Sequence, residues 1–239
     1  MDTPMTLMQE IQQLLERTYS KTGISLEDCL IGSDRCDELS ELAGSPELSP
    51  IARTFLRQEG DRLHIAIYYA EPLIELLEIH DPREGISNQN IAALIQFTEE
   101  IDHGVQAALE FQKKSKLESD GDLIMNLEVM GKVDTFIVLG KFICFHMGER
   151  TLNPEAKRWL TDQIFDKSYE LFKSRVMEAR YKLAQEVAAK FLNFLRSAPL
   201  TGRRRILRRF ARMSWAQKVA FTEKVSPSEV PATEFCTVE

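Results

Sequence analysis

At 239 residues, with 44% hydrophobic residues and a formal net charge of −7, the chain is long enough to bury a substantial core and too apolar for a disordered polymer. The acidic balance argues against broad polyanion binding unless positive charge is gathered in one place. Cys29, Cys36, Cys144 and Cys236 are scattered with no CxxC pair, which argues against a zinc knuckle or a disulfide framework and fits reduced thiols in a cytosol.

The opening MDTPMTLMQEIQQLL carries an acid at position 2 and no basic stretch before an apolar run, so no signal peptide is expected. Leu7, Ile11, Leu14 and Leu15 fall at helical spacing, which predicts an amphipathic helix over 6–19 that ends near Gly23. Residues 25–42 read as short helical pieces broken at Gly32 and closed by the turn Gly44-Ser45-Pro46. Leu63, Ile65, Ile67 and Tyr69 then alternate with His64, Ala66 and Tyr68, and Gly60-Asp61 can turn the segment around Phe55 into a hairpin with them. Pro72 suits the first turn of a helix reaching about Ile79; the alternative, one continuous helix, would be kinked or broken there.

After a turn at 81–85, Ser87 or Asn88 can cap a central helix over 91–111, which fades into a polar linker at 113–121. The next helix, about 123–147, is apolar on nearly all sides beyond Val133, as an enclosed element would be. Its most apolar stretch, 133–147, includes Asp134 and Lys141 and is too short and polar for a membrane span. Asn153-Pro154 starts a helical pattern that runs to about Leu195, interrupted near Asp166, and stops at Ala198-Pro199. One or two short helices follow over 202–220, and a loose tail begins at Ser226. The fold class is therefore mainly α, a multi-helix bundle-like domain with a small β-hairpin near 52–69. The chain divides into an N-terminal helical segment (1–50), a helical core (51–198), basic amphipathic helices (199–225) and a tail (226–239).

The tightest cluster of reactive side chains is Glu99, Glu100, Asp102 and His103 on the central helix. Residues four apart share a helix face, so Glu99 and His103 point the same way, with Glu100 three before His103. The string Glu99-Glu100-x-x-His103 resembles the His-Glu-x-x-His helix of zincin metallopeptidases, with glutamate in place of the first histidine. By that resemblance Glu99 and His103 would be metal ligands, Glu100 the general base, Glu128 a third ligand, and the cofactor a divalent metal such as zinc. Glu100 to His103 also resembles one Glu-x-x-His motif of ferritin-like carboxylate bundles, but 155–195 contains no histidine for the second. The plain alternative is a solvated face: Leu94, Ile101, Val105 and Ala108 define the apolar side, and Gln96, Glu99, His103 and Glu110 lie roughly opposite.

Asp134, flanked by Val133, Phe136, Ile137 and Val138, needs a partner if buried; Arg180 is the expected one, with His103 or a metal as the functional alternative. Residues 202–218 carry Arg203, Arg204, Arg205, Arg208, Arg209, Arg212 and Lys218 and no acid; subtracting that +7 from the overall −7 leaves −14 on the rest. Ile206, Leu207, Phe210, Met213 and Trp215 interleave, so the segment reads as a basic amphipathic helix that either contacts a polyanion or packs on the acidic body.

Strings such as Glu99-Glu100-x-x-His103, Leu127-Glu128 with Asp134, and Arg180-Tyr181-x-x-Ala184 are similar to those of uncharacterised bacterial proteins; the resemblance implies a bacterial, cytoplasmic chain and carries no statement about activity. Three functions are expected to compete: a helical interaction or regulatory protein with a protein partner or self-association, a metal-binding or degenerate zincin-like hydrolase, and a polyanion binder. No transmembrane segment is expected.

Overall fold

The computed structural model describes residues 5–44, 51–114, 117, 120–166 and 175–225. Thr6 opens α1 (Leu7–Thr18) through a capping box: its hydroxyl accepts from the Gln9 N–H, and the Gln9 side chain accepts from the Thr6 N–H. A 3-10 turn (Leu26–Cys29) then leads into β1 (Leu30–Ile31) and α2 (Ser33–Leu42). β2 (Ala52–Glu59) and β3 (Arg62–Tyr69) form the antiparallel hairpin that the alternation predicts, turning at Gly60-Asp61 with Gly60 at φ 58°. β1 adds a parallel edge, Leu30 opposite Ile67 and Ile31 opposite Tyr68, and gives the sheet order β1-β3-β2. The sequence pattern misses β1, because two residues carry no period and the strand is defined only by its pairing with β3.

Pro72 sits in the first turn of α3 (Glu71–Ile79), so the chain breaks where its ring requires. The polar cap Ser87 and Asn90 then precedes α4 (Ile91–Lys114): the Ser87 hydroxyl accepts from Gln89 N–H and Asn90 Oδ1 accepts from Ser87 N–H. α5 (Asp120–His146) returns antiparallel along α4, and its central stretch is buried all round, as its apolar composition predicts. Asn153 caps α6 (Pro154–Thr161), which passes through a π-helical turn (Asp162–Asp166) near the expected interruption. α7 (Arg175–Ser197), α8 (Leu200–Ala211) and α9 (Trp215–Val225) complete a mainly helical fold with one small sheet.

One apolar cluster runs from Met8, Ile11 and Leu15 on α1 to Leu207 and Phe210 on α8, so the first three predicted segments share a core. The predicted tail, 226–239, lies outside the described residues. α5 is the central rod, packed against α1, α4, α6, α7 and α9. Among the described residues, no helix is long and apolar enough to cross a membrane.

Three glycines set how closely the helices approach. A Cβ at Gly104 would stand 3.1 Å from Leu26 Cδ2 and 3.3 Å from Ile67 Cδ1, and both of those side chains are fully buried. Gly131 likewise faces the His103 ring, and Gly140 faces Leu152. Alanine normally favours a helix interior over glycine by about 1 kcal/mol. At Gly104 the immobile neighbours should reverse that sign, so Gly104→Ala is expected to destabilise by about 1–3 kcal/mol. At Gly121, where a Cβ meets nothing within 4 Å, alanine should leave stability level or raise it. Urea unfolding of both variants checks this; a stabilised Gly104→Ala would show that the α4–sheet contact has slack.

Candidate functional site

α4 and α5 face each other with polar stripes, not only apolar ones. On α4 the stripe is Glu99, Glu100, Asp102, His103 and Gln106; on α5 it is Glu128, Lys132 and Asp134. The open, solvated face that the helical wheel allows for Glu99 and His103 is not what forms. The His103 side chain is only 13% exposed and Glu99 and Glu100 are each 16% exposed, because α5 lies over them at Gly131, which has no side chain to hold it off.

Each acid of the predicted site already has a partner. Lys132 Nζ donates to Glu99 Oε1 at 2.7 Å, an ion pair whose lysine is nearly fully buried. His103 Nδ1 stands 3.5 Å from Glu100 Oε2, and Thr54 on β2 bonds to the Glu100 carbonyl at 3.1 Å and to its carboxylate. Burial alone would depress the His103 imidazole, but the hydrogen bond and charge of Glu100, with Glu128 and Asp102 beyond, push it up to about 10. Glu100 is correspondingly held below the usual carboxylate range; burial works against this, and the His103 bond and charge overcome it. Burial pushes Glu128 up to about 7 despite the nearby His103 charge, and Glu128 bonds to the Tyr181 hydroxyl on α7. These charges favour the imidazolium form of His103, and its Nε2 is buried with no hydrogen-bond partner among the described residues.

A second polar cell lies one turn along. Asp102 and Asp134 are 0% and 1% exposed and lie close enough for each to shift the other's ionisation, and Asp102 Oδ2 is buried with no hydrogen-bond partner among the described residues, so a proton on one of the two carboxyls is what lets them sit together. Tyr19, at the C-terminal cap of α1, donates to both oxygens of Asp134, at 2.6 and 2.8 Å. The Gln106 amide bridges the pair, 2.9 Å from Asp134 Oδ2 and 3.2 Å from Asp102 Oδ1. Burial raises both acids above the ordinary aspartate range and holds the Tyr19 hydroxyl protonated. Asp134 is therefore buried, as its apolar flanks predict, and its described partners are Tyr19, Gln106 and Asp102. The side chain of the expected partner, Arg180, lies outside the described residues.

The structure brings Glu99, Glu100, His103 and Glu128 into one interhelical seam. Among the described residues, however, no three His, Cys, Asp or Glu side chains are placed to hold one ion. Lys132, Tyr19, Gln106 and Thr54 were not picked out from the sequence. Lys132 had a signal, since it sits four residues after Glu128 in a stretch otherwise apolar; Tyr19 and Thr54 come from distant elements and had none.

The basic helix divides in two. Arg203 donates to the Ala198 and Arg196 carbonyls at 3.0 and 2.6 Å, and Arg208 donates to the Thr18 carbonyl at 2.6 Å, so both satisfy helix C-terminal carbonyls. Lys218 is buried, bonded to Asn126 at 2.8 Å and to the Met213 carbonyl at 3.2 Å. Arg204, Arg205, Arg209 and Arg212 are exposed, and among the described residues none of them pairs with an acid. The apolar side of α8 packs on α7, with Phe210 stacked on Phe191 at a centroid distance of 3.6 Å.

The acid pair sets a pH dependence. A carboxyl raised on folding contributes stability below the ordinary aspartate value of 3.8 and loses it as pH rises through about 6 and above. Asp102→Asn supplies a permanent donor to Asp134, so its melting temperature relative to the parent should climb between pH 5 and pH 8. Asp102→Leu should instead lose about 1–3 kcal/mol at both, with Gln106 and Asp134 left short of a partner. Parallel melting curves for Asp102→Asn and the parent would show that no proton is shared. The chain matches no protein-family model, and comparison with curated proteins and with solved structures returns no match, so its role is argued from this geometry.

Proposed function

We infer that this is a helical interaction or regulatory protein, and that the surface it presents is the arginine face of α8, which engages an acidic segment of a partner protein. The observation that carries this reading is the contrast between its two sets of charges. The seam of Glu99, Glu100, Asp102, His103, Lys132 and Asp134 is paired internally, whereas Arg204, Arg205, Arg209 and Arg212 stand exposed with no acid beside them among the described residues.

Positions 204 to 212 span about 12 Å of helix at 1.5 Å per residue, a footprint suited to a short acidic helix or strand. A long nucleic acid would also meet the remainder of the chain, which carries a net charge of −14 once the +7 of residues 202–218 is set aside from the overall −7. Regulation fits the mounting of this helix. Arg203 and Arg208 fix α8 to the ends of α7 and α1, so the exposed arginines are held in fixed positions.

A metal-binding or zincin-like hydrolase is the second reading, and one observation favours it: His103 Nε2 is buried near Glu128 and Asp102 without a partner among the described residues. Ligation would require that nitrogen to be unprotonated, whereas the surrounding charges of Glu100, Glu128 and Asp102 favour the doubly protonated ring.

Fluorescence anisotropy with a labelled oligoglutamate peptide tests the first reading. The parent should bind, weaken steeply between 50 and 300 mM salt as surface charges are screened, and lose at least tenfold on combined Arg204→Gln, Arg205→Gln, Arg209→Gln and Arg212→Gln substitution. Stronger binding to a duplex DNA of matched charge would replace the acidic segment with nucleic acid, and undiminished binding by the fourfold variant would remove α8 from the account. Elemental analysis of tag-free protein separates the second reading: stoichiometric metal that disappears in Glu99→Ala and His103→Ala with the fold retained would establish it.

A further inference from the structure

Behind the basic helix lies a solvent-open hollow of about 460 Å³, lined by the end of α1, α5, the 150–152 loop, α6, α7 and α8. Its floor is hydrocarbon, built from Phe136, Ile137, Leu192, Leu195 and Leu207. Its rim carries Lys141, Arg150, Lys157, Arg196, Arg203 and Arg204, and no carboxylate lines it. Among the described residues none of these six cations makes an ion pair. Like charges crowded on a low-dielectric wall repel one another. Burial, and then Arg196 and Arg203, lower Lys157; burial and Arg203 lower Arg196; at Lys141 burial, with Arg204 and Arg17, outweighs the opposing charge of Asp134 behind the wall and lowers it. In an acidic protein whose interhelical seam pairs its own charges, six cations from five separate parts of the chain gathered around one greasy hollow lack only an anion.

We propose that this cavity binds a small amphipathic anion, a carboxylate or phosphate on an unbranched hydrocarbon body, with the tail on the Phe136–Leu192 floor and the head among Lys141, Lys157, Arg196 and Arg204. The volume falls within the range of small-molecule sites, about 300–1,000 Å³, and the division into apolar lining and a few convergent charges is the usual form of such sites. Arg203 is already turned onto the Ala198 and Arg196 carbonyls, and Arg196 onto Asn193 Oδ1 at 3.1 Å, so part of the rim is held in place before any ligand arrives. The inference goes beyond the α8 reading and does not rest on it, because Lys141 and Lys157 lie on α5 and α6.

Isothermal titration of the full chain with decanoate and with decyl phosphate tests the proposal and shows which head is preferred. At least one should bind with one-to-one stoichiometry. Inorganic phosphate alone and decyltrimethylammonium should bind at least tenfold more weakly. Lys141→Gln with Lys157→Gln should weaken the anion at least tenfold while leaving oligoglutamate binding by α8 unchanged. Ile137→Trp fills the hollow and should abolish binding; Leu200→Trp, at a lining position that is 67% exposed, does the same without touching the packed core and serves if the first variant unfolds. Equal affinity for the cationic and anionic amphiphiles, phosphate binding as well as decyl phosphate, or decyl phosphate affinity unchanged in Leu200→Trp would each overturn the proposal. So would sedimentation with phosphatidylglycerol vesicles that survives Leu200→Trp and exceeds decyl phosphate binding, which would assign the cations to a membrane surface.

Discussion

Two buried carboxylates, Asp102 and Asp134, face each other across the central helix pair, and the chain can form this core only by solving that conflict. Two full negative charges side by side at that depth would be driven apart, so the pair favours holding a proton, and the Tyr19 hydroxyl and Gln106 amide donate to Asp134 Oδ1 and Oδ2 and to Asp102 Oδ1. The solution ties three elements together, because Tyr19 ends α1, Gln106 belongs to α4 and Asp134 to α5. A purely apolar seam between α4 and α5 would tolerate sliding by one turn. A seam whose acids, lysine and histidine must each meet a given partner fixes the register, which is the best attested use of buried polar groups.

The same seam explains why the Glu99–His103 stripe is so polar yet so little exposed. α4 is apolar on one side for the sheet and α1, and polar on the other for α5, and it is covered on both. Gly104 and Gly131 make this double coverage possible: the first lets Leu26 and Ile67 reach the α4 backbone, and the second lets the His103 ring lie against α5. Charges are neutralised inside, at Lys132–Glu99 and His103–Glu100, by residues of opposite sign on the facing stripe or one turn away.

Much of this fold is legible in the sequence because it depends on local signals. The caps at Thr6 and Asn153, the breaks at Gly60 and Pro72 and the uniformly apolar stretch after Val133 each act over a few residues, and the structure follows them. Asp134 could be placed in the core for the same reason. What a helical wheel cannot convey is whether a polar face has another element above it, and there the Glu99–His103 face departs from the plain solvated alternative. Complementary stripes on two neighbouring helices, Glu128–Lys132–Asp134 against Glu99–His103–Gln106, were the available signal, together with a glycine at the point of closest approach. The partners from α1 and β2 are set by tertiary assembly, and nothing near Tyr19 or Thr54 in the chain announces their role.

The placement of positive charge follows from the same economy inside the core. Because the seam is self-neutralised, the arginines of α8 have no internal acid to satisfy, and the fold uses two of them as backbone clamps at the ends of α1 and α7. A clamp at positions 203 and 208 fixes the rotation of α8 about its axis, since residues five apart lie within about 140° of one another on a helix. That rotation seats Leu207 and Phe210 on the core and leaves Arg205, Arg209 and Arg212 outward, with Arg204 exposed at the edge that the outer face shares with the rim of the hollow. One helix therefore carries two cationic fronts, an exposed outer one and an inner one at the rim of a hydrocarbon-floored hollow. Because the clamps fix α8 to the ends of α1 and α7, both fronts belong to one body and each can be altered without moving the other.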